Sequence, residues 1–241
     1  MVNSYTDSHK KYGKGASYDE HYATNSWRRF LWAREQVALA HFIDSFLKNQ
    51  DIYLLDFGCG TGRIVGFLEY RVTQAVAVDV SESMLEKARE KLTRTELIQA
   101  DITKENVLKG RKFNLITAFR FFLNAEPELR QAALNALVPL LDEDGYFVFN
   151  NHRNQTSPLA RFKYKRSHNK RNFMTMQETR DIVNEAGLEI IKIYPIGFLP
   201  LYKMKLPYVL NNAIDSIATK FAFLQDYSES PIMVCKRSNL L

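Results

Sequence analysis

The sequence predicts an α/β protein built on a doubly wound, mostly parallel sheet with helices on both faces. Short apolar runs alternate with segments of helical periodicity along most of the chain, and such alternation is typical of parallel sheets. The first apolar run, 52–57, ends abruptly at a glycine-rich turn, which is where a doubly wound sheet holds its ligand. With 241 residues, 46% of them hydrophobic, the chain is long enough for one domain with a full core.

The individual elements follow from periodicity and from signals at their ends. Short apolar runs predict strands, and a period of 3.6 residues predicts the helices between them. Ser81 and Glu82 suit the start of a helix, and Gly187 suits the left-handed residue that follows one. The predicted order is strand 53–57, helix 63–70, strand 75–79, helix 83–92, strand 96–100, strand 113–119, helix 128–141, strand 146–150, helix 177–186, strand 188–194 and strand 231–236.

Two segments lie outside this alternation. For residues 1–50 we predict a polar tail followed by a helical lid, and for residues 196–227 we predict a helical insertion. The core is therefore assigned to 51–195 together with 228–237, within a single domain that spans 1–241. The apolar stripe predicted for the N-terminal helix consists of Phe30, Leu31, Val37, Ala38, His41, Phe42 and Phe46.

The glycine-rich turn is the strongest functional signal in the chain. Gly58, Gly60 and Gly62 stand at alternate positions, so the backbone can turn sharply and a ligand can contact the main chain. A dinucleotide fingerprint would need its third glycine where this chain has Arg63, which disfavours a nicotinamide-dependent oxidoreductase. Asp79 ends the next strand about twenty residues later, where an acid in this kind of fold accepts both hydroxyls of a ribose.

The string Asp-Phe-Gly-Cys-Gly-Thr-Gly at 56–62 resembles motif I of class I S-adenosylmethionine (SAM)-dependent methyltransferases, and 78–89 resembles the pattern after their second strand. The resemblance implies a Rossmann-like, seven-stranded sheet whose last strand, 231–236, is antiparallel. It also implies an enzyme that uses SAM and releases S-adenosylhomocysteine (SAH). The cofactor-binding residues that it implies are Asp56, Gly58, Cys59, Gly60, Asp79, Val80, Met84, Ala100, Asp101, Ile102 and Phe119. For Asp101, a capping role at a helix start is the alternative.

Two histidines are candidate general bases. His152 follows the fifth strand at the carboxyl edge of the sheet, and His21 lies in the aromatic N-terminal segment that folds over the cofactor in similar enzymes. Tyr18 and Tyr22 in that segment are candidates for cofactor contact. Structural roles are the alternatives for all four residues, and methylation of a neutral amine does not require a general base.

The segment 119–124, after the fourth strand, indicates the kind of acceptor. It lacks the Asn/Asp-Pro-Pro-Tyr/Phe motif of the similar enzymes that methylate amines of nucleobases or glutamine amides. It also lacks the cysteine of carbon-5 cytosine methyltransferases. An aromatic, apolar segment favours a small organic acceptor, methylated on oxygen or nitrogen, and a sugar-linked or lipid-linked compound is among the candidates.

A basic segment predicts an anionic partner. No Asp or Glu occurs from 151 to 177, and the cations there exceed in number the net charge of +6, so the basic excess is local. This segment favours an anionic acceptor, anionic lipid or RNA, with a solvated loop as the alternative. The insertion at 198–223 predicts either a cap over the pocket or contact with a membrane surface. The cations are Arg153, Arg161, Lys163, Lys165, Arg166, Lys170 and Arg171.

Two other functions stay open for the same fold. One is an RNA methyltransferase that uses the basic segment, and the other is a non-catalytic binding subunit. No Cys/His cluster has metal-ligand spacing, and no apolar run approaches the ~20 residues of a membrane span. We expect a cytoplasmic protein, because the two cysteines form no disulfide pattern and the N-terminus has no signal-like apolar region.

Overall fold

The computed structural model describes residues 24–158, 160, 172–198 and 208–238. Tyr18, His21, Tyr22 and six of the seven basic-segment cations lie outside the described residues. In chain order the elements are α1 (Ser26–Phe46), β1 (Tyr53–Phe57), α2 (Arg63–Leu68), β2 (Gln74–Asp79), α3 (Glu82–Arg89), β3 (Thr95–Gln99), β4 (Phe113–Ala118), α4 (Pro127–Leu137), β5 (Leu141–Asn150), α5 (Met176–Glu185), β6 (Leu188–Tyr194), α6 (Tyr208–Ala218) and β7 (Ile232–Arg237). Short 3-10 helices lie at Val138–Leu140 and Ala222–Tyr227.

All seven strands form one sheet in the order β3-β2-β1-β4-β5-β7-β6. The pairs from β3 to β5 are parallel, whereas β7 runs antiparallel to both β5 and β6. The predicted Rossmann-like sheet and its antiparallel last strand are therefore confirmed. Because the strand order reverses between β1 and β4, the carboxyl ends of these strands form the crevice in which doubly wound folds bind ligands.

Strand β5 begins earlier than the sequence indicated. Phe113 pairs with Leu141, but Leu115 pairs with Tyr146, so the segment between them bulges out of register. Regular pairing resumes at Tyr146, the residue predicted to open the strand. Pro139 lies in the 3-10 turn after α4, and a proline there removes a helical hydrogen bond, which explains why the helix stops before 141.

Helix α1 packs into the core on one face of the sheet. Leu31, Leu39 and Phe42 are each about 1% exposed and belong to the same cluster as residues of β1 and β4. The predicted stripe is wrong at Val37 and His41, which are exposed, because the buried face runs through Leu39 and Ile43 instead. The described part of the predicted N-terminal lid is therefore a wall of the core.

The insertion is attached to α1 by a buried carboxylate. Asp215 of α6 accepts a hydrogen bond from Nε of Arg34 at 3.0 Å and from the backbone N–H of Gly197 at 2.9 Å. Asp215 is 2% exposed, and its ion pair with Arg34 connects α6 to the N-terminal helix. The end of β6, the start of the insertion and α1 are thereby joined at one point.

Candidate active site

The glycine-rich turn adopts a conformation that suits glycine. Gly58, Gly60 and Gly62 have φ angles of +65°, +56° and +78°, a region that other residues adopt only with strain. A Cβ on Gly62 would lie 2.8 Å from Cδ1 of Leu92, so this third glycine is also needed for packing. The N–H of Gly58 donates to the carbonyl of Val78 at 2.8 Å. The turn is therefore fixed to the carboxyl end of β2.

Asp79 connects the turn to the start of α3. One carboxylate oxygen accepts from the N–H of Gly60 at 2.8 Å, and the other accepts from the N–H of Ser81 at 2.9 Å. Each carboxylate oxygen can accept more than one hydrogen bond, so the position predicted for ribose binding can still accept hydroxyl groups. Ser81 occupies the predicted N-cap position, but its side chain makes no capping bond and contacts the hydroxyl of Ser83.

Asp56 lies beneath the turn and is almost fully buried. Its carboxylate accepts from the hydroxyl of Thr117 at 2.7 Å and from the N–H of Val65 at 3.3 Å. Burial outweighs these hydrogen bonds and raises the pKa of Asp56 to about 7. Burial also raises the pKa of the Cys59 thiol well above its usual value, so Cys59 stays protonated and does not act as a nucleophile at neutral pH.

The raised pKa of Asp56 predicts a specific pH dependence of stability. The folded state binds this proton more tightly than the unfolded chain, whose aspartates have a pKa of about 3.9. The resulting stabilisation is complete below about pH 4 and is lost as the pH rises through about 7. Relative to Asp56→Asn, the unmodified protein should lose up to about 1.4 kcal/mol per pH unit in this range. Urea unfolding between pH 5 and 8 measures the difference, and parallel pH profiles would contradict the assignment.

An apolar wall lies on the β2 side of the turn. It is lined by Phe57, Val78, Val80, Ala100 and Phe121, together with Gly58 and Asp79. The flat side chain of Phe121 packs edge to face on Phe57, with their ring centroids 4.8 Å apart. An apolar wall next to a ribose-binding acid fits an adenine ring, and Val80 and Ala100 are among the residues predicted to bind the cofactor.

Asp101 and Ile102 are placed differently from the other predicted cofactor residues. The carboxylate of Asp101 accepts from the hydroxyl of Thr103 at 2.6 Å and forms an ion pair with Lys104 at 3.0 Å. Although burial raises the pKa of Asp101, these two partners hold it below the usual value. Ile102 lines a separate depression with Leu108. The carboxylate of Asp101 thus caps the turn after β3, and its contact with the cofactor stays a prediction.

The main pocket opens above the turn, between β1 and β4. Five predicted residues from the turn and strands β1 and β2 line it, joined by Met84 of α3 and Phe119 after β4. Three further polar residues in its wall were not predicted as site residues: Arg63, Arg120 and Asn124. Arg63 stands where a dinucleotide fingerprint has its third glycine. Its position next to the turn could therefore have marked it as a site residue.

The two arginines are held by one buried acid of α1. Nη1 of Arg63 donates to Oε2 of Glu35 at 2.6 Å, and Nη2 of Arg120 donates to Oε1 at 3.1 Å. Glu35 is completely buried. Although burial raises the pKa of Glu35, the two guanidinium groups hold it below its usual value. Glu35, a charged residue on the buried face of α1, was a second sequence signal for this cluster.

Arg120 has an unusual backbone conformation at the end of β4. Its φ of +64° is rare for a residue with a long side chain. The side chain of Asn150 accepts from the N–H of Arg120 at 2.8 Å, and the amide of Asn124 donates to its carbonyl at 2.8 Å. These contacts stabilise a conformation that costs about 1–3 kcal/mol by itself. Arg120 is therefore held in place on both sides.

His152 lies outside the pocket lining. It is 7% exposed, and its Nδ1 lies 3.3 Å from the hydroxyl of Ser230. The described residues that line the main pocket do not include it, so its role as a general base stays a prediction. The same holds for His21, Tyr18 and Tyr22, which lie outside the described residues.

Two searches of the described residues gave negative results. No group of three or more His, Cys, Asp or Glu side chains in the described ranges is placed to hold a metal ion. Within those same ranges, no helix combines the length and apolar character needed to cross a membrane.

The fold and the site define a class I SAM-dependent methyltransferase domain. A cradle of left-handed glycines and an acid at the end of β2 fit SAM, which carries an amino-acid part, a ribose and an adenine. The family model described as a methyltransferase domain matches residues 54–145, which contain the turn, Asp79 and Arg120. The protein is thus an enzyme of the SAM-dependent methyltransferase class.

Similar proteins agree with this class. A malonyl-[acyl-carrier protein] O-methyltransferase of Priestia megaterium is 26% identical over 73% of this chain and 69% of its own length. A ubiquinone biosynthesis O-methyltransferase of Bartonella quintana is 24% identical over 72% of this chain and 75% of its own. The crystal structure of magnesium protoporphyrin IX methyltransferase from Synechocystis with bound SAH superposes with a TM-score of 0.66 and 13% identity, covering 98% of this chain and 100% of that one. The similarity to the Synechocystis structure shows the fold alone.

Proposed function

We propose that this enzyme transfers the methyl group of SAM to an oxygen of a small organic acceptor. The observation that carries the proposal is the pocket wall after β4, where Phe119, Arg120 and Asn124 line the cavity. This wall lacks the tetrapeptide that marks nucleobase amine and glutamine methylation in similar enzymes. The two relatives described above are named as O-methyltransferases, which supports oxygen over nitrogen.

Different residues of this chain bind different parts of the cofactor. The glycine turn and Asp79 hold the amino-acid and ribose parts of the cofactor, and the wall around Phe121 and Val80 covers its adenine. When bound, SAM supplies an activated methyl group, so the protein mainly positions the acceptor and excludes water. Buried groups around the turn, such as Asp56, keep the pocket floor closed to solvent.

The pocket offers few groups that could remove a proton from an acceptor. Of the described residues that line it, none is His, Lys or Tyr. The oxygens of Asp56 and Asp79 accept hydrogen bonds from the protein itself. This arrangement favours an acceptor oxygen that is already ionised at neutral pH.

A labelled-methyl assay tests the proposed function. The protein is incubated with SAM carrying a labelled methyl group and with either a small-metabolite extract or total RNA. We expect label in the small-molecule fraction with the unmodified protein, and a loss of most of that label with Asp79→Ala. Label found only in RNA would favour the RNA alternative, and label in neither fraction would contradict the proposal. Binding of SAH, measured by calorimetry, checks that each preparation is folded.

A further inference from the structure

We propose that the acceptor is a carboxylic acid, that its carboxylate is the methylated group, and that Arg120 binds this carboxylate. The inference rests on the proposed function and adds to it the class of substrate and the residue that selects it. It draws on the position of Arg120, on the charge of the pocket wall and on the chemistry that the pocket can support.

Arg120 lies on the acceptor side of the pocket. Strand β1 lies between β2 and β4, so Asp79 at the end of β2 and Arg120 after β4 flank the glycine turn from opposite sides. Phe121 of the segment after β4 belongs to the wall assigned to adenine, whereas Arg120 and Asn124 of the same segment line the main pocket and are left for the acceptor. Arg120 lines the cavity there although its side chain is only 13% exposed.

The charge of this wall suits an anion. Arg63 and Arg120 share the single carboxylate of Glu35, so these three side chains together are net positive. A guanidinium has five N–H donors in a planar fork that matches the two oxygens of a carboxylate. The contact with Glu35 uses Nη2 of Arg120 and fixes the orientation of the group in the pocket wall.

Methyl transfer from SAM to a carboxylate oxygen needs no general base. A carboxylate oxygen attacks the methyl carbon, the bond between that carbon and the sulfur breaks, and its electron pair returns to sulfur. The anionic acid becomes a neutral methyl ester, and the sulfonium becomes the neutral thioether of SAH. No proton is transferred, in agreement with the lack of His, Lys and Tyr among the described pocket-lining residues. An alcohol acceptor would require a base.

Methylation of a carboxylate calls for an arginine whose own orientation is fixed. A carboxylate must be oriented so that one oxygen faces the methyl group, and a bidentate contact fixes that orientation better than a single point charge. The bonds from Asn150 and Asn124 to the backbone of Arg120 hold the residue in a left-handed conformation. Lysine would keep the charge but lose the fork.

The experiment measures methyl esters directly. Methyl esters release labelled methanol in alkali, whereas N-methyl groups and ethers do not. The protein is incubated with labelled SAM and a panel of aliphatic and aromatic carboxylic acids, each paired with its amide and its alcohol, and with a metabolite extract. We expect volatile label from acids only. Arg120→Gln should lower it about 10- to 100-fold and Arg120→Lys by a smaller factor, while SAH affinity stays within about threefold in both variants.

The control is Arg111→Gln, which removes an exposed arginine paired with Glu96 and should leave ester formation unchanged. Label in an alkali-resistant ether would overturn this inference and leave the proposed function standing, whereas label in an N-methyl group would overturn both. Ester formation that is unchanged in both Arg120 variants would overturn the role of Arg120, as would a loss of SAH binding parallel to the loss of esters. If neither the panel nor the extract accepts label while SAH still binds, both the inference and the proposed function fail.

Discussion

Asp79→Ala is expected to weaken the binding of SAM and SAH by about 100-fold. The carboxylate is expected to accept both ribose hydroxyls, and each charge-assisted hydrogen bond of this kind contributes about 1.5–3 kcal/mol. The same carboxylate accepts hydrogen bonds from the N–H groups of Gly60 and Ser81. Its removal therefore also destabilises the glycine turn. Calorimetric titration with SAH measures the effect.

Asp101→Ala is the matched control for this prediction. Both acids follow neighbouring parallel strands, but the carboxylate of Asp101 is already bonded to Thr103 and Lys104. We therefore expect Asp101→Ala to change SAH affinity by less than about fivefold, or roughly 1 kcal/mol. A larger loss in Asp101→Ala than in Asp79→Ala would show that the two acids have been assigned the wrong roles.

Glu35→Ala is expected to lower the free energy of unfolding by about 3–5 kcal/mol. Removing one partner of a buried ion pair leaves the other charges without compensation, and Glu35 is the partner of two arginines at once. Asn150 also donates to the same carboxylate at 3.4 Å, so its amide loses an acceptor. Urea unfolding at pH 7 gives the value.

The exposed pair of Glu96 and Arg111 provides the comparison for Glu35. Its geometry is bidentate, with distances of 2.9 and 2.7 Å, but both side chains are in contact with solvent. Glu96→Ala should therefore cost no more than about 1 kcal/mol. If Glu35→Ala proves as mild as Glu96→Ala, water entering the pocket compensates the two arginines, and Glu35 is not the support of this wall.

The cofactor side of the site was predictable because its signals are local. The glycine turn directly follows β1, Asp79 is the last residue of β2 and Val80 comes next, so each lies at the carboxyl end of a strand. The geometry of a strand followed by a turn then fixes where these residues lie. The same locality gave the strand order its main constraint, because the alternating elements leave few arrangements of a doubly wound sheet.

The wall formed by Arg63, Arg120 and Glu35 was not predictable in the same way. Glu35 lies 28 positions before Arg63 and 85 before Arg120, and no spacing rule relates residues on three separate elements. The phase of α1 mattered as well, because the predicted stripe included the exposed residues Val37 and His41 and omitted the buried Glu35. Packing of α1 on the sheet selected the face that carries Glu35.

The sequence by itself determined the fold class, the antiparallel last strand, the cofactor and the positions of the turn and Asp79. The fold class and the turn follow from short-range patterns, since hydrophobic period and glycine spacing act within a few residues. The antiparallel last strand and the cofactor were implied by the resemblance of 56–62 and 78–89 to class I methyltransferases. Only the tertiary structure decided that Asp101 is committed to Thr103, that His152 lies away from the pocket lining, and that Arg120 faces the pocket with Glu35 behind it. Those outcomes depend on the side chains that distant segments bring into contact, and these neighbours, against the effect of burial, lower the pKa of Asp101 and Glu35.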